Sequence, residues 1–486
     1  MTSPTPHAAG SPAGAPGEPH FPRVSTGNPE ADGILDGGFP AHSINVVMGQ
    51  PGSGKTIFVE QMLFADAARA AAAGDARPVL YLTTLSEPLS KVVGYLQRFA
   101  FFDPALLGTA VVYEDVGAAL SRDGVGALVP LVRQFITTLS PRIVVVDSFK
   151  ALHDLEPDGV AMRRLISDLA GLLTAYDTTT FLVGEYAEEN NSRYPEFAVA
   201  DGIVELARRP LSTRDERYFR VFKLRGSRYR EGYHGMRIGA GGVEIFPRLV
   251  SPDAPERYRI VLERTPTGTP GLDALLGGGL WRGSTTLVAG PTGAGKTTLG
   301  VQFALEGPRV GEPSLYVNFQ ENPAQMHRVI RALGESTGAD SPPPPGLHLM
   351  YRSPVELQID SILVELFRTV QAHGIRRVVV DALGELYASA TDPARLHDYL
   401  YALVQHFTAR GVTSLLTFET VGIGGVASVQ DVRFSYITDN IVLLDTVLER
   451  DRTRRTARAL KTRNSPHDPA VREVVFGPGG ASIATA

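Results

Sequence analysis

Short apolar runs alternate along most of the chain with longer segments in which apolar residues recur every three or four positions. Four such runs occur in the first half, at 46–47, 79–82, 143–146 and 181–183, and four in the second, at 287–288, 315–317, 378–380 and 414–418. Buried strands that alternate with helices are typical of a parallel sheet covered by helices on both faces. The pattern therefore predicts an α/β fold that occurs twice.

The pattern changes at the ends of each half. Residues 1–22 are mostly Pro, Gly, Ala, Ser and Thr, and they cannot bury enough apolar surface to offset the entropy lost on ordering. Each half closes in turn-rich, β-like sequence, around 218–246 and 456–476, and the proline-containing stretch 251–255 is typical of a linker. We predict a disordered tail at 1–22, a first domain at 23–250 and a second at 251–486.

The two halves share landmarks at a constant spacing. Each of the following pairs is separated by 241 residues: Thr26 and Thr267, Gly27 and Gly268, Pro29 and Pro270, Asp32 and Asp273, Leu35 and Leu276, Lys55 and Lys296. Further along the chain the offset drifts by a few residues, as loop insertions would make it do, while the order of landmarks holds. This indicates an internal duplication of a whole domain.

A glycine-rich phosphate-binding motif, G-x-x-x-x-G-K-[ST], occurs in both halves, each time between an apolar strand-like run and a helical pattern. Its glycines let backbone N–H groups surround a triphosphate, while the lysine adds positive charge and the threonine offers a hydroxyl to Mg²⁺. The predicted nucleotide-binding residues are Gly49, Gln50, Pro51, Gly52, Ser53, Gly54, Lys55, Thr56 and Ile57 in the first half, and Gly290, Pro291, Thr292, Gly293, Ala294, Gly295, Lys296, Thr297 and Thr298 in the second. The cofactors predicted from these motifs are ATP and Mg²⁺.

Two apolar runs downstream of the phosphate loops end in a carboxylate, at Asp147 and at Asp381. An aspartate at the carboxyl edge of a parallel sheet lies beside the phosphate loop, where it can hold Mg²⁺ through water. Turns also favour aspartate after a strand, so either position alone has two interpretations. Their recurrence behind a phosphate loop favours a metal role for Asp147 and Asp381, together with Thr56 and Thr297.

Hydrolysis also needs a group that orients or deprotonates water, normally a carboxylate after a neighbouring strand. Glu321 is the candidate in the second half, and Glu87 is the nearest carboxylate in the first. Both stand next to or near a proline, where a glutamate is also common at a helix start. The sequence leaves that alternative open.

Composition narrows the functional class. The formal charge of −5 gives no overall basic field to attract DNA or anionic lipid, so nucleic acid is not an expected partner. Cysteine is absent, which excludes disulfides, thiolate zinc sites and cysteine nucleophiles. No apolar run approaches the roughly 20 residues that a membrane helix needs, and the first residues do not resemble an export signal. We expect a cytoplasmic protein without a membrane partner.

These motifs resemble the double-domain form of the KaiC family, within the RecA superfamily of P-loop NTPases, from Ser25 to Phe476. The resemblance also rests on the Thr-Gly lead-in, on 223–227 and on 461–468. It implies two tandem RecA-like domains and a homo-oligomer, a hexamer of two stacked rings with ATP at subunit interfaces. It further implies that Lys223 and Arg225, like Lys461 and Arg463, reach the nucleotide of the neighbouring subunit. The same resemblance gives nucleotide contacts to Ser227, Arg455 and His467.

The Lys-x-Arg pairs and His467 also have a plain structural interpretation. Lys-x-Arg also occurs on solvated strands, and a lone histidine such as His467 is often structural. The arginine-rich stretch 449–455 has interleaved acids, which favours a solvated hairpin over a nucleic-acid patch.

The chain departs from the resembled family at its catalytic positions. The family usually has two consecutive glutamates where this chain has Leu85-Ser86 in the first half and Gln320-Glu321 in the second. Ser435 matches the serine that KaiC phosphorylates, whereas Tyr436 replaces the neighbouring threonine. Only about ten residues follow Phe476, so the sequence has no match to the carboxyl-terminal extension that binds a partner in the circadian oscillator. A clock role is therefore not expected.

The leading hypothesis is an ATP-hydrolysing hexamer used in signalling, with serine autokinase activity at Ser435 and with protein partners. One alternative is a recombination or helicase-type motor that moves on DNA. Another is a nucleotide-gated scaffold with little turnover, which the missing glutamates favour for the first ring.

Overall fold

The computed structural model describes residues 22–84, 89–186, 194–211, 214–252, 258, 261–333, 343–389, 393–420, 436–449 and 452–485. The predicted tail, apart from Pro22, lies outside the described residues, as do Glu87 and Ser435. The chain divides into two compact units, Met1–Pro247 and Arg248–Ala486, which we call the first and second unit. The boundary at 250/251 from the sequence stays a prediction.

The strands of the first unit are β1 (Arg23–Val24), β2 (Phe39–Pro40), β3 (Ile44–Met48), β4 (Val79–Thr83), β5 (Val111–Asp115), β6 (Ile143–Asp147), β7 (Thr179–Gly184), β8 (Gly202–Leu211), β9 (Arg214–Leu224), β10 (His234–Gly239) and β11 (Gly242–Phe246). Its α-helices are α1 (Pro29–Ile34), α2 (Lys55–Ala72), α3 (Leu89–Leu96), α4 (Gly117–Asp123), α5 (Leu128–Leu139), α6 (Leu152–Leu155), α7 (Gly159–Thr174) and α8 (Glu196–Val199).

The strands of the second unit are β12 (Arg264–Thr265), β13 (Leu280–Trp281), β14 (Thr285–Gly290), β15 (Ser314–Asn318), β16 (Leu347–Tyr351), β17 (Arg377–Asp381), β18 (Thr413–Glu419), β19 (Asn440–Glu449), β20 (Arg452–Thr462), β21 (Arg472–Gly477) and β22 (Gly480–Ile483). Its α-helices are α9 (Leu272–Leu275), α10 (Lys296–Arg309), α11 (Pro323–Ala332), α12 (Ile359–Ala372), α13 (Leu383–Ser389) and α14 (Pro393–Arg410).

Each unit is built on one nine-stranded sheet, and the two sheets have the same topology. The strand order is β5-β4-β6-β7-β3-β8-β9-β10-β11 in the first unit and β16-β15-β17-β18-β14-β19-β20-β21-β22 in the second. The first six strands of each order run parallel, and the last three continue the sheet in antiparallel hairpins. The predicted α/β class, the tandem repeat and the closing β-rich segments are therefore confirmed.

Both faces of the inner parallel strands of each sheet are buried, which explains why these strands appear in the sequence as uninterrupted apolar runs. Val46 and Val47 are neighbours on β3 and are fully buried, yet they belong to separate hydrophobic clusters because successive side chains point to opposite faces. Helix α2 packs Phe58, Met62 and Leu63 against one face. This packing holds the amino end of α2 beside the carboxyl end of β3.

None of the helices in the described ranges combines the length and the apolar character needed to cross a membrane.

Candidate nucleotide sites

The two phosphate loops connect β3 to α2 and β14 to α10, at equivalent places in the two sheets. Gly54 and Gly295 precede the helices with φ of 103° and 105°, a left-handed conformation that favours glycine. A Cβ on Gly54 would lie 2.7 Å from Ile238 Cδ1, and one on Gly295 would lie 2.4 Å from Phe476 Cζ. The antiparallel extension of each sheet thus packs directly behind its own phosphate loop, and only glycine fits there.

The loop lysines are almost fully buried within their own loops. Lys55 Nζ donates to the Gln50 carbonyl at 3.0 Å, and Lys296 Nζ donates to the carbonyls of Gly290 and Pro291 at 2.9 and 3.0 Å. Burial lowers the pKa of both lysines, and nearby carboxylates partly oppose that shift. Each ammonium is a poorly hydrated cation held inside a ring of backbone groups, an environment that suits a phosphate.

The threonine and the aspartate predicted to hold metal are in contact in both units. Thr56 Oγ1 donates to Asp147 Oδ2 at 3.0 Å, and Thr297 Oγ1 donates to Asp381 Oδ2 at 2.8 Å. The structure therefore brings together each predicted hydroxyl and carboxylate at one point of the site. A carboxylate and a hydroxyl beside a phosphate loop are oxygen donors of the kind that Mg²⁺ prefers, so the residues present fit that ion.

A buried tyrosine supports each aspartate. Tyr81 Oη donates to Asp147 Oδ2 at 2.6 Å, and Tyr316 Oη donates to Asp381 Oδ2 at 2.7 Å. Burial raises the pKa of Asp147, while the hydrogen bonds from Tyr81 and Thr56 lower it. The tyrosines were not predicted from the sequence. They occupy the middle position of β4 and β15, within apolar runs that give no signal of a polar role.

A further carboxylate in each site was also missed. Glu185 follows β7 and lies 3.9 Å from Lys55 Nζ, while Glu419 closes β18 and accepts a hydrogen bond from the Thr292 hydroxyl. Register shows that the two glutamates are equivalent. Glu185 follows the residue opposite Met48, Glu419 follows the residue opposite Ala289, and Met48 and Ala289 are 241 residues apart. A signal was present: Glu185 and Glu419 are 234 residues apart, the same spacing that separates Asp147 from Asp381.

Glu321 extends from a turn that is anchored to the sheet. Asn318, at the end of β15, is paired in register with Asp381, and its Oδ1 accepts hydrogen bonds from the backbone N–H groups of Gln320 and Glu321 at 2.9 and 3.0 Å. Burial, and then the charge of Asp381, raise the pKa of Glu321. The predicted Glu321 thus belongs to the electrostatic surroundings of Asp381.

Gln320 has a partner that the sequence did not suggest. Its side-chain Nε2 donates to Glu385 Oε1 at 2.7 Å. Glu385 lies in the first turn of α13, a helix that begins two residues after Asp381. Glu385 is therefore linked through Gln320 to the turn that carries Glu321.

The helix that follows the first phosphate loop carries a buried glutamate that is paired with a tyrosine. Glu60, on α2, is fully buried, and its Oε2 accepts a hydrogen bond from Tyr113 Oη at 2.7 Å. Burial raises the pKa of Glu60 to about 8, so the carboxyl group is mostly protonated at neutral pH. The positions that correspond to Glu60 and Tyr113 in the second unit are Val301 and Leu349.

A cavity of about 800 Å³ opens beside the first phosphate loop. Its walls combine the phosphate loop, the end of β6 and the apolar side of α3, and they include Lys55, Thr56, Asp147, Glu185, Tyr95 and Phe99. A lining that combines charged and aromatic side chains suits a molecule with a charged tail and a flat organic base.

The predicted basic pairs do not reach the phosphate loop of their own unit. Lys223 is paired in register with Ile203 on β8, next to the amino-terminal half of β3, and the Arg225 backbone N–H donates to the Asp201 carbonyl. Lys461 and Arg463 repeat this arrangement beside β14, where the Arg463 backbone N–H donates to the Asp439 carbonyl at 2.9 Å. Both pairs lie at the sheet edge opposite the phosphate loop.

The three remaining predicted contacts divide between the two edges. Arg455 Nε donates to the Gly293 carbonyl of its own phosphate loop at 2.9 Å, and its guanidinium lies 5.0 Å from the centre of the Phe476 ring. His467 Nδ1 is 2.9 Å from Thr462 Oγ1, in the group formed with Lys461 and Arg463. Ser227 follows Arg225 in the turn after β9.

Comparison of the sequence with known proteins identifies the family of this chain. A model of the KaiC ATPases matches residues 24–250, 265–340 and 348–486. The chain is 26% identical to a circadian clock oscillator protein KaiC of Picosynechococcus sp., over 93% of this chain and 87% of that protein. It is 25% identical to a KaiC of Prochlorococcus marinus over 97% and 94%. A circadian clock protein KaiC3 of Synechocystis sp. is 31% identical over 42% of each chain. The family model matches most of the chain, and both units have a phosphate loop with a paired threonine and aspartate. The chain belongs to the KaiC family of ATPases.

Proposed function

We propose that this ATPase works as a ring of identical subunits, a hexamer, which binds Mg·ATP between neighbours, hydrolyses it mainly in the second unit and signals to partner proteins. The observation that carries the proposal is the position of the basic pairs. Lys223 and Arg225, like Lys461 and Arg463, are at the sheet edge opposite the phosphate loop of their own unit.

The length of the central strand separates the basic pair from the phosphate loop of the same unit. Strand β3 rises by about 3.3 Å per residue, so roughly 13 Å separate Ile44 from Met48, and the phosphate loop lies beyond Met48. Arg225 is bonded to Asp201, whose side chain accepts the Ile44 N–H at 3.1 Å. A nucleotide in the loop is thus out of reach within one unit. It becomes reachable when a neighbour presents its basic edge.

The electrostatics of the pairs suits an anionic partner. Burial, and then the charge of Arg225, lower the pKa of Lys223, and the same two causes lower the pKa of Lys461 beside Arg463. Two cations held close together repel each other, and a phosphate placed between them would remove that repulsion. An arginine supplied in trans also stabilises the charge on a transferring phosphoryl group, which makes turnover depend on assembly.

In the second unit we assign the chemistry to Glu321. The oxygen of a water molecule bonds to the γ-phosphorus, the bond from that phosphorus to the bridging oxygen breaks, ADP leaves, and the water proton passes to the Glu321 carboxylate. Thr297 and Asp381 would hold Mg²⁺, which supplies charge neutralisation at the phosphates. In the first unit Thr56 and Asp147 take the same role, and hydrolysis there falls to Glu87 or is slow. The first ring then acts largely as a nucleotide-gated scaffold.

The finer features follow from the resemblance. Ser435 is the proposed acceptor in a slow autokinase reaction, and Ser227, Arg455 and His467 are proposed nucleotide contacts. The cytoplasmic location stays a prediction.

The test couples size to turnover on one sample. Light scattering of the full chain is expected to show a ring in Mg·ATP and smaller species without nucleotide, while phosphate release is measured in parallel. Lys55→Ala and Lys296→Ala separate the two loops. A monomer at saturating Mg·ATP would overturn the proposal. Salt-sensitive stimulation of turnover by DNA would replace it with the DNA-motor alternative.

A further inference from the structure

We propose that Glu385 is a positioning residue of the second site, which holds the Gln320 amide so that its carbonyl oxygen accepts a hydrogen bond from the attacking water. The starting observation is the hydrogen bond of 2.7 Å from Gln320 Nε2 to Glu385 Oε1. This inference rests on the proposed hydrolysis in the second unit, and it names the group that prepares the water for Glu321.

The backbone on both sides of this hydrogen bond is held in place. Asn318 Oδ1 accepts the backbone N–H groups of Gln320 and Glu321, and Asn318 Nδ2 donates to the Glu321 carbonyl at 2.5 Å. On the other side, α13 is anchored by Leu383 and Leu386, which are 0% and 4% exposed. With both backbones fixed, the remaining freedom is rotation of the Gln320 and Glu385 side chains, and the hydrogen bond between them restricts both.

The chemistry of an amide gives this bond a direction. A glutamine side chain has an NH₂ group that only donates and a carbonyl oxygen that only accepts. Because an ionised carboxylate only accepts hydrogen bonds, Glu385 binds the NH₂ end of the Gln320 amide. The carbonyl oxygen of Gln320 is then available to accept a hydrogen bond from a water O–H. Gln320 cannot take the proton itself, so it orients the water while the proton passes to Glu321. The same division of labour lets a glutamine serve in other phosphoryl-transfer sites.

Comparison of the two units supports a linked pair. Alignment through the equivalent Asp147 and Asp381 puts Leu85 opposite Gln320 and Ala151 opposite Glu385. Leu85 lies outside the described residues, so this part of the comparison concerns sequence position only. Both members of the pair occur in the unit that has Glu321, and both are absent from the unit that has Ser86 there. A glutamate placed only for solubility would not be expected to follow that distribution.

The experiment uses the full chain with Lys55→Ala, so that phosphate release reports on the second unit. Glu385→Ala and Gln320→Ala are each expected to lower kcat about tenfold, the loss typical of one misdirected polar group. KM for ATP, the affinity for a non-hydrolysable ATP analogue and ring assembly are expected to change less than twofold. The double variant is expected to be no slower than either single one, because the two residues act as one unit. Glu385→Gln, whose carbonyl can still accept from Gln320, is expected to retain an intermediate kcat.

A charge exchange separates positioning from a structural role. Gln320→Glu alone puts two carboxylates together, so the pair will share a proton and turnover will rise as the pH falls. Adding Glu385→Ala removes the repulsion, and turnover is expected to return to within twofold of the parent protein. Glu263→Ala, which removes an exposed carboxylate near the opposite sheet edge, is the matched control and should leave kcat unchanged.

Three results would overturn the inference: an unchanged kcat in Glu385→Ala, additive losses in the double variant, or parallel losses of kcat and nucleotide affinity. Absence of any turnover in a Lys55→Ala protein that light scattering shows to be assembled into rings would overturn the proposed hydrolysis in the second unit, and the inference with it. Turnover that persists in the Lys55→Ala protein and is unchanged by Glu385→Ala would overturn the inference alone.

Discussion

Tyr113 Oη donates a hydrogen bond of 2.7 Å to Glu60 Oε2, a carboxyl group with no exposed surface. Its other oxygen, Oε1, has no hydrogen-bond partner among the described residues. The groups that face Glu60 from neighbouring strands are Tyr113 on β5 and, further off, Tyr81 on β4 and Asp147 on β6. Val301 and Leu349 fill the equivalent space in the second unit, so this pair is a property of the first unit alone.

The first prediction concerns pH and stability. The pKa of Glu60 rises from 4.5 to about 8 on folding, so between these values the folded chain holds a proton that the unfolded chain releases. The contribution of Glu60 is therefore full below about pH 4.5 and is lost as the pH rises through about 8. Glu60→Gln is expected to remove this loss. The difference in Tm between variant and parent should then grow in favour of the variant from pH 5.5 to 8.5.

The matched control is the double variant Glu60→Val with Tyr113→Leu, which reproduces the apolar pair of the second unit. It should show the same loss of pH dependence as Glu60→Gln. A Tm difference that is constant across this pH range would contradict the raised pKa.

The second prediction assigns the hydrolytic carboxylate. Glu321→Gln is expected to lower phosphate release about a hundredfold, because an amide cannot accept the water proton. ATP affinity should persist, since Lys296 and Thr297 are untouched. Equilibrium binding of labelled ATP and single-turnover phosphate release measure the two quantities separately. A larger loss in Glu87→Gln than in Glu321→Gln would reverse the assignment of the two units.

The third prediction tests action between subunits. Two variants are prepared, both with Lys55→Ala. The first also carries Lys296→Ala and lacks a working phosphate loop in the second unit. The second also carries Lys461→Ala and Arg463→Ala and lacks the basic pair, so each protein alone should be inactive. Mixed rings contain some neighbours in which an intact loop meets an intact pair, and turnover should reappear on mixing. Mixing two preparations that both carry Lys296→Ala is the control and should recover nothing. A mixture that stays inactive while forming mixed rings would exclude catalysis in trans.

The fourth prediction concerns Ser435. Its hydroxyl is a weak nucleophile, and with glutamine at position 320 the only family-position carboxylate is Glu321, so transfer should be slow and less than one phosphate per chain. The γ-phosphoryl group would move from ATP to the serine oxygen, with ADP leaving. Intact-mass measurement after long incubation with Mg·ATP should detect the product in the parent and not in Lys296→Ala. Phosphate that persists in Ser435→Ala would place the acceptor elsewhere.

Buried strands and phosphate loops were predictable from the sequence, whereas edge strands and buried polar residues were not. Strands such as β6 and β17 are apolar because both faces of the sheet are covered. Strands β5 and β16 form the edge, where half-exposed positions mix polar and apolar residues, and no apolar run marks them. Glu60 could not be anticipated either, since helical spacing alone cannot show that a charged residue faces the core. Glu185 and Glu419 were readable from their repeated spacing, but that regularity acquires meaning only once the strand register is known.

Strand β20 runs from the carboxyl ends of the parallel strands in the second sheet, where the phosphate loop lies, to their amino ends. Arg455, near its start, binds the phosphate loop of its own unit, and Lys461, six residues later, belongs to the basic pair at the opposite edge. About 20 Å of strand separate them, and this stretch pairs with β19 apart from a register shift next to Lys461. In the proposed ring each β20 strand would link one nucleotide site to the next, so that nucleotide bound at one site changes how the neighbouring site binds its nucleotide. Turnover would then depend sigmoidally on ATP concentration, and substitution of Arg455 would flatten that curve.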